Sequence, residues 1–338
     1  MTKNRFQTLT AQYPKLRLAV VGDFCLDRYL EIDPAKREVS IETGLLVHNV
    51  VQVRSQPGGA GTILNNLVAL GIGRVYPVGF AGTDGEGFEL RRALLAKAGV
   101  RPDGFLQTAR RRTFTYCKPL VLEAGQPPRE LNRLDSKNWT PTPATVQRQI
   151  AESVQRLAAR VDGIILLDQV DLAETGVVTK QVLATIRAVS QARPRLLIIA
   201  DSRRGLRNYP PVSFKMNAAE LAALTGTRNR TSLEQIKARA AGLAQANGRP
   251  VFVTLAERGI IGAAPDGSVE YVPSLPVRGQ IDIVGAGDAV TANLASALAA
   301  GATLREALEL AMAAASVVVH QLGTTGTASV KAIRRLVP

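Results

Sequence analysis

Three textures of apolar and polar positions alternate along this chain. Nearly unbroken apolar runs recur at Arg17–Gly22 (RLAVVG) and at residues 74–79, 163–167, 195–200 and 250–254. Such short runs, several ending in glycine or aspartate, predict strands buried on both faces of a parallel sheet. Between them apolar residues recur every third or fourth position, predicting helices from Thr62 to Leu70, through Ala98, across Val290, Leu294 and Leu298, and over residues 304–322. Strand and helix patterns in alternation predict right-handed βαβ units and hence a doubly wound, mostly parallel α/β fold. The third texture has a period of two: Leu46, His48, Val50 and Gln52 oppose Val47, Asn49, Val51 and Val53, and the pattern returns near 113–123 and 131–134. It predicts a small antiparallel sheet inserted into the main fold in two segments, about 29–54 and 106–135.

Length and composition narrow the class. A chain of 338 residues with 46% hydrophobic content can bury a large core, and we expect one domain spanning 1–338. Cys25 and Cys117 form neither a disulfide framework nor a metal-binding spacing. The first apolar run is too short for a signal-peptide core and residues 311–319 are too few to span a bilayer, so the expected location is cytoplasmic. The formal charge of +14 admits nucleic acid as a partner. The basic residues are scattered, however, and aromatics are only 4% of the chain, so a solvated basic surface or a site for anionic substrates explains the charge more simply.

Chemistry concentrates in Asp282-Ile283-Val284-Gly285-Ala286-Gly287-Asp288. Three small residues leave the backbone N–H groups uncovered and then open a helix, whose start attracts anions. Asp288 falls in the first turn of that helix. Donors for an anion beside a carboxylate base are what phosphoryl transfer to a hydroxyl requires. In isolation Gly285-Ala286-Gly287-Asp288 would read better as an ordinary loop with a helix-capping or first-turn acid, and the context of further motifs reverses that. Other polar residues stand at the ends of predicted strands, where ligands of parallel sheets bind: Asp23 and Asp27 after the first, Asp168 and Asp201 after two others. No GxxxxGK[ST] loop occurs, which excludes a P-loop nucleotide site.

DIVGAGD resembles the signature of the ribokinase-like (PfkB) carbohydrate kinases, and further motifs follow over nearly the whole chain. Within the resemblance Asp288 is the catalytic base, and Gly285, Ala286 and Gly287 form the anion hole. Asp27 and the double glycine Gly58-Gly59 contact the sugar, and Thr62 stands where the family usually has a sugar-binding asparagine. The pair Asn217 and Glu220 matches the family's NxxE motif and implies water-bridged Mg²⁺ beside the phosphates of ATP. Thr254 and Gly259 are nucleotide-side candidates, although the usual glycine between them is Ala256. Met312, where close relatives often have asparagine, borders adenine by resemblance, and as a residue type is equally ordinary core filling. Asp282 and the loop Gly323-Thr324-Thr325-Gly326 would hold a monovalent cation, expected to be K⁺. The inserted sheet would be a lid that excludes water, with a homodimer through the lid as a candidate assembly.

GDFCLDRY, PGGAG, RLD and VVVHQLGTTG are similar in texture to heptose-7-phosphate kinases and to the kinase half of bifunctional ADP-heptose synthases. No nucleotidylyltransferase half is expected, since the chain stops at Pro338. The expected function is therefore ATP-dependent phosphorylation of a sugar or sugar-phosphate hydroxyl. A nucleoside kinase, and a non-catalytic sugar- or nucleotide-sensing protein on the same fold, stay open as alternatives. Arg110, Arg111, Arg112, Lys118 and Arg133 lie in or beside the lid segments and are expected to turn toward an acceptor that already bears a phosphate. His48 reads as an exposed or satisfied strand histidine, and His320 as a satisfied packing residue.

Overall fold

The computed structural model describes residues 1–227, 232–323 and 325–337. Its nine-stranded sheet runs in the order Val269–Val272, Ile260–Ala263, Val251–Thr254, Ser213–Asn217, Leu197–Ser202, Gly163–Asp168, Arg17–Gly22, Arg74–Gly82, Gly104–Thr108. The first two of these are antiparallel additions at one edge, and every other neighbouring pair is parallel. The apolar runs are short and unbroken because both faces of the sheet are covered. Leu18, Val20, Ile165 and Leu167 enter one core, while Ala19, Val21, Ile164 and Leu166 enter the other. The expected α/β class is thus the observed one. Helices Ala60–Ala69, Ala286–Ala299 and Leu304–Val319 pack on the first face; Ala144–Ala158, Lys180–Ala192 and Leu233–Asn247 pack on the second.

From Arg17–Gly22 the chain order runs outward in both directions, to Arg74–Gly82 on one side and to Gly163–Asp168 on the other. That is a topological switch point, and the crevice beyond the carboxyl ends of these strands is where such sheets bind ligands.

A second sheet stands over this crevice, in the order Leu134–Ser136, Phe114–Val121, Phe24–Ile32, Val50–Gly59. It corrects two expectations. The sheet is mixed rather than antiparallel, because Phe24–Ile32 and Phe114–Val121 pair in parallel. Their direction is inherited: each leaves the same end of the parallel main sheet, one after Arg17–Gly22 and the other after Gly104–Thr108. The insertion also begins later than residue 106, since Gly104–Thr108 is itself the main sheet's edge strand beside Arg74–Gly82. The strand Val50–Gly59 runs through Pro57, Gly58 and Gly59 before the helix starts at Ala60. An edge strand tolerates the missing N–H of proline. No described helix is long and apolar enough to cross a membrane.

Candidate active site

Helix Ala286–Ala299 starts without a side-chain cap, behind Gly285 at φ 82°. Only glycine suits this position: besides the left-handed backbone, a Cβ there would lie 2.6 Å from the Thr325 methyl. Asp282 orders the approach by accepting the Val284 N–H at 3.0 Å, and Asp288 occupies the helix's first turn. The helix itself is alanine-rich and buried, which lets it pack closely against Leu304–Val319 and Ala60–Ala69 and fixes its start against the sheet.

This start faces a cavity of about 480 Å³. Gly285, Gly287 and Asp288 line it from one side; Asp27, Gly59, Thr62, Tyr116, Lys118 and Arg133 line it from the small sheet and the following helix. Strand ends of the main sheet contribute Gln169, Asp201, Arg203, Lys215 and Glu220. Residues far apart in sequence, singled out for separate reasons, therefore meet in one place.

The cavity's charges are arranged in pairs. Lys215 donates to Asp201 at 2.8 Å and is buried. Burial works against its charge, but Asp201 prevails and holds the ammonium above its ordinary pKa. Its Nζ lies beneath Gly287, 3.2 Å from where a Cβ would be. Asp288 is pushed up to about 7, chiefly by burial and next by the neighbouring charge of Asp201, with Lys215 and Arg203 opposing. A carboxyl poised near neutrality suits a general base. Asp27 is also raised, by burial, against the pull of Lys118, Arg133 and Arg203. Gly58 lies behind it: a Cβ there would meet the Asp27 carboxylate at 2.4 Å, so this glycine makes room for Asp27.

Several anticipated residues do other work. Asn217 accepts the Glu220 N–H at 2.9 Å while Glu220 accepts the Asn217 N–H at 2.7 Å, a reciprocal cap on helix Ala218–Thr225. Glu220 reaches the cavity as well; Asn217 is not among the lining residues. Thr254 donates to the Met216 carbonyl at 3.3 Å, and Gly259, at φ 106°, passes so near Val272 that a Cβ would lie 2.1 Å from its carbonyl oxygen. Met312 is buried in the core on the first face of the sheet. Of the loop at 323–326, Thr324 lies outside the described residues, and the Thr325 hydroxyl is buried with no partner among the described residues while its residue lines the cavity.

The three consecutive arginines correct the expected cationic lid. Arg111 is buried and donates to the Pro141 carbonyl and to Thr140, Arg110 donates to Thr145, and Arg112 is joined through its backbone to Asn138. They fasten the turn before Phe114–Val121 to residues 138–145, because three adjacent cations in a turn find the nearest carbonyls and hydroxyls first. Lys118 and Arg133 do face the cavity.

Asp201 was singled out only as a strand-end acid, and Lys215, Arg203 and Gln169 were not anticipated as site residues. The signal available was position: Asp201 and Lys215 are polar residues in otherwise apolar strands, near the carboxyl ends where ligands bind. His320 is satisfied as expected, its Nδ1 at 2.6 Å from the Ser316 carbonyl and its Nε2 accepting the Arg278 N–H at 3.0 Å.

The model of the pfkB family of carbohydrate kinases matches residues 15–331. Among curated proteins, the bifunctional protein HldE of Gluconacetobacter diazotrophicus is 30% identical over 313 residues, covering 92% of this chain and 62% of the relative. That of a Bradyrhizobium species is 29% identical over 334 residues, covering 98% and 66%. The chain thus spans under two thirds of the length of these relatives. Among solved structures, Arabidopsis thaliana ribokinase complexed with ribose and ATP superposes with a TM-score of 0.67 at 21% identity, covering 95% of this chain and 98% of that one. Escherichia coli phosphofructokinase-2 with substrates and products gives 0.72 at 20% identity, covering 95% and 97%.

Proposed function

The chain belongs to the pfkB family of carbohydrate kinases, and we propose that it transfers the γ-phosphoryl group of ATP to a hydroxyl of a sugar phosphate of the heptose-phosphate kind. The observation that carries this reading is Asp288, a carboxyl near neutrality in the first turn of an uncapped helix, inside a cavity flanked by cations. Asp288 takes the acceptor's proton, and the amides of Gly285, Ala286 and Gly287, of which that of Ala286 also donates to the Ile283 carbonyl at 3.2 Å, receive charge on the transferred group. Lys215, neutralised in part by Asp201, steadies the loop from below.

Among the described residues no three His, Cys, Asp or Glu side chains group to hold a metal ion. That donor set fits Mg²⁺ carried mainly by phosphate oxygens and water, with Glu220 as its carboxylate contact. ATP with Mg²⁺ supplies the phosphoryl group and its leaving ADP. Asp282 and the loop at 323–326 are the candidate holders of K⁺, and Thr254 and Gly259 the candidate neighbours of the nucleotide. Asp27, Gly59 and Thr62 would orient the sugar, and Lys118 and Arg133 would receive its existing phosphate. The small sheet would serve as the lid; its exposed Val50, Val51, Val53 and Leu134 support a homodimer through that sheet.

ADP release measured against sugars, sugar phosphates and nucleosides tests the reading. Turnover should be highest with a sugar phosphate, and excess chelator should abolish it. Efficient use of neutral sugars or nucleosides over every sugar phosphate would reject the acceptor assignment and keep the kinase.

A further inference from the structure

Among the described residues four cations line the cavity, and they differ in how far their charge is already used. Lys215 is 2.8 Å from Asp201. Arg133 is 2.8 Å from Asp135 and stacks 4.8 Å over the Tyr116 ring. Lys118 approaches Asp27 at 4.0 Å and sits over Tyr29. Among the described residues Arg203 has no carboxylate within 4.0 Å. It follows strand Leu197–Ser202, its backbone N–H is tied to the Asp168 carbonyl at 3.0 Å, and its side chain is open to solvent. With the Gln169 amide turned so that its oxygen faces the guanidinium, that oxygen accepts from Nε at 3.0 Å and from Nη2 at 2.7 Å. A neutral amide aims the side chain without cancelling its charge, and of five guanidinium N–H donors three stay free.

Position decides which anion those donors meet. Arg203 lines the same cavity as Asp27 on the acceptor side, Asp288, and Glu220 on the proposed nucleotide side, and its charge partly offsets the burial that raises all three carboxyls. A cation held by Gln169 in the one cavity that also presents Asp27, Asp288 and Glu220 is placed along the path of the transferred group. Lys118 and Arg133, both on the small sheet, are placed for the acceptor's own phosphate instead.

We infer that Arg203, aimed by Gln169, contacts the phosphoryl group in flight and stabilises its charge, an inference that rests on the kinase reading above. As the acceptor oxygen bonds to the γ-phosphorus, the bond from that phosphorus to the β–γ bridging oxygen breaks. Its electron pair leaves with ADP and the acceptor proton passes to Asp288. Arg203 neither gains nor loses a proton.

The test compares Arg203→Ala, Arg203→Lys and Gln169→Leu with the unmodified protein in steady-state kinetics, with thermal unfolding as the folding control. Arg203→Ala should lower kcat by about 10²-fold or more while the KM for ATP and for acceptor moves less than about threefold. Added guanidinium ion should restore part of the loss, and Arg203→Lys should recover charge but not the fork, giving an intermediate rate. Gln169→Leu should lower kcat roughly tenfold, as expected of a positioning residue. Calorimetry with ADP, Mg²⁺ and aluminium fluoride gives a second readout: Arg203→Ala should weaken the fluoride complex and leave ADP alone unchanged. If instead the KM for a phosphorylated acceptor rises at unchanged kcat, Arg203 holds the acceptor's phosphate and the inference is wrong. Equal kinetics in Arg203→Ala and the unmodified protein also overturn it, with the kinase reading intact. An unmodified protein that neither consumes ATP with any acceptor nor binds the fluoride complex removes both.

Discussion

Two helices begin in the neighbourhood of the same cavity, and they begin in opposite ways. Helix Ala218–Thr225 is closed by Asn217 and Glu220, each accepting the other's backbone N–H. Helix Ala286–Ala299 has Gly285 in place of a cap and no side chain on its first amides. A cap satisfies the orphan donors of a helix start, and once satisfied they have less to offer a ligand. The open start spends one donor within the turn, the Ala286 N–H on the Ile283 carbonyl at 3.2 Å, and leaves the Gly285 and Gly287 amides and its dipole for an anion. The two starts thus differ: the capped one has its first donors met within the chain and presents the Glu220 carboxylate to the cavity, whereas the open one has no side-chain cap and offers its glycine amides to the proposed anion.

The largest expected effect strikes the open start. Asp288→Asn should lower kcat by about 10²-fold or more with ATP affinity nearly unchanged, because an amide cannot take the hydroxyl proton. Unchanged turnover, measured by ADP release, would erase the contrast between the two starts by removing the chemistry from one of them.

Acidity sharpens the same contrast. The Asp288 carboxyl titrates at about 7, raised by burial above the ordinary 3.8. As the proposed base it must be ionised, so activity is expected above that pKa and should be lost as pH falls through it. Below about pH 7, kcat/KM should drop close to tenfold per unit, and Asp288→Asn should flatten that limb. The capped start predicts a smaller and different response: Glu220→Gln should raise the Mg²⁺ concentration giving half-maximal rate by several-fold, with kcat at saturating Mg²⁺ changed less, since a neutral amide is a poorer partner for hydrated Mg²⁺.

The open start was legible in the sequence, and much of its surroundings was not. Gly285, Ala286 and Gly287 declare themselves because three small residues ahead of an apolar helical period bare the backbone just where a helix dipole begins. Lys215 does not: a buried lysine inside Ser213–Asn217 has meaning only once Asp201, on the neighbouring strand, is known to lie 2.8 Å away. Arg203 and Arg111 are both arginines next to other arginines, yet one is tethered beside the cavity and the other is buried against Pro141, a difference made by tertiary contacts alone. The parallel pairing of Phe24–Ile32 with Phe114–Val121 is likewise set by the main sheet that launches both strands, and no local pattern in either segment encodes it.

The smallest expected effect concerns Asn217, and it separates cap from ligand. The side chain accepts the Glu220 N–H at 2.9 Å and stands outside the cavity lining, so Asn217→Ala removes one cap bond and frees the Glu220 amide. Loss of an N-cap typically costs about 1 kcal/mol, which in a chain of this size lowers the thermal midpoint by about 2 °C. Glu220 also loses the residue that turned its carboxylate toward the helix start, so its need for Mg²⁺ should shift about twofold, well short of the effect of Glu220→Gln. Asn217→Asp is the control that distinguishes the roles: aspartate caps as well as asparagine and should restore the midpoint, whether or not Mg²⁺ is nearby. If Asn217→Ala instead raised the Mg²⁺ requirement as much as Glu220→Gln at an unchanged midpoint, Asn217 would be acting on the metal, and the two helix starts would be more alike in function than their hydrogen bonds are.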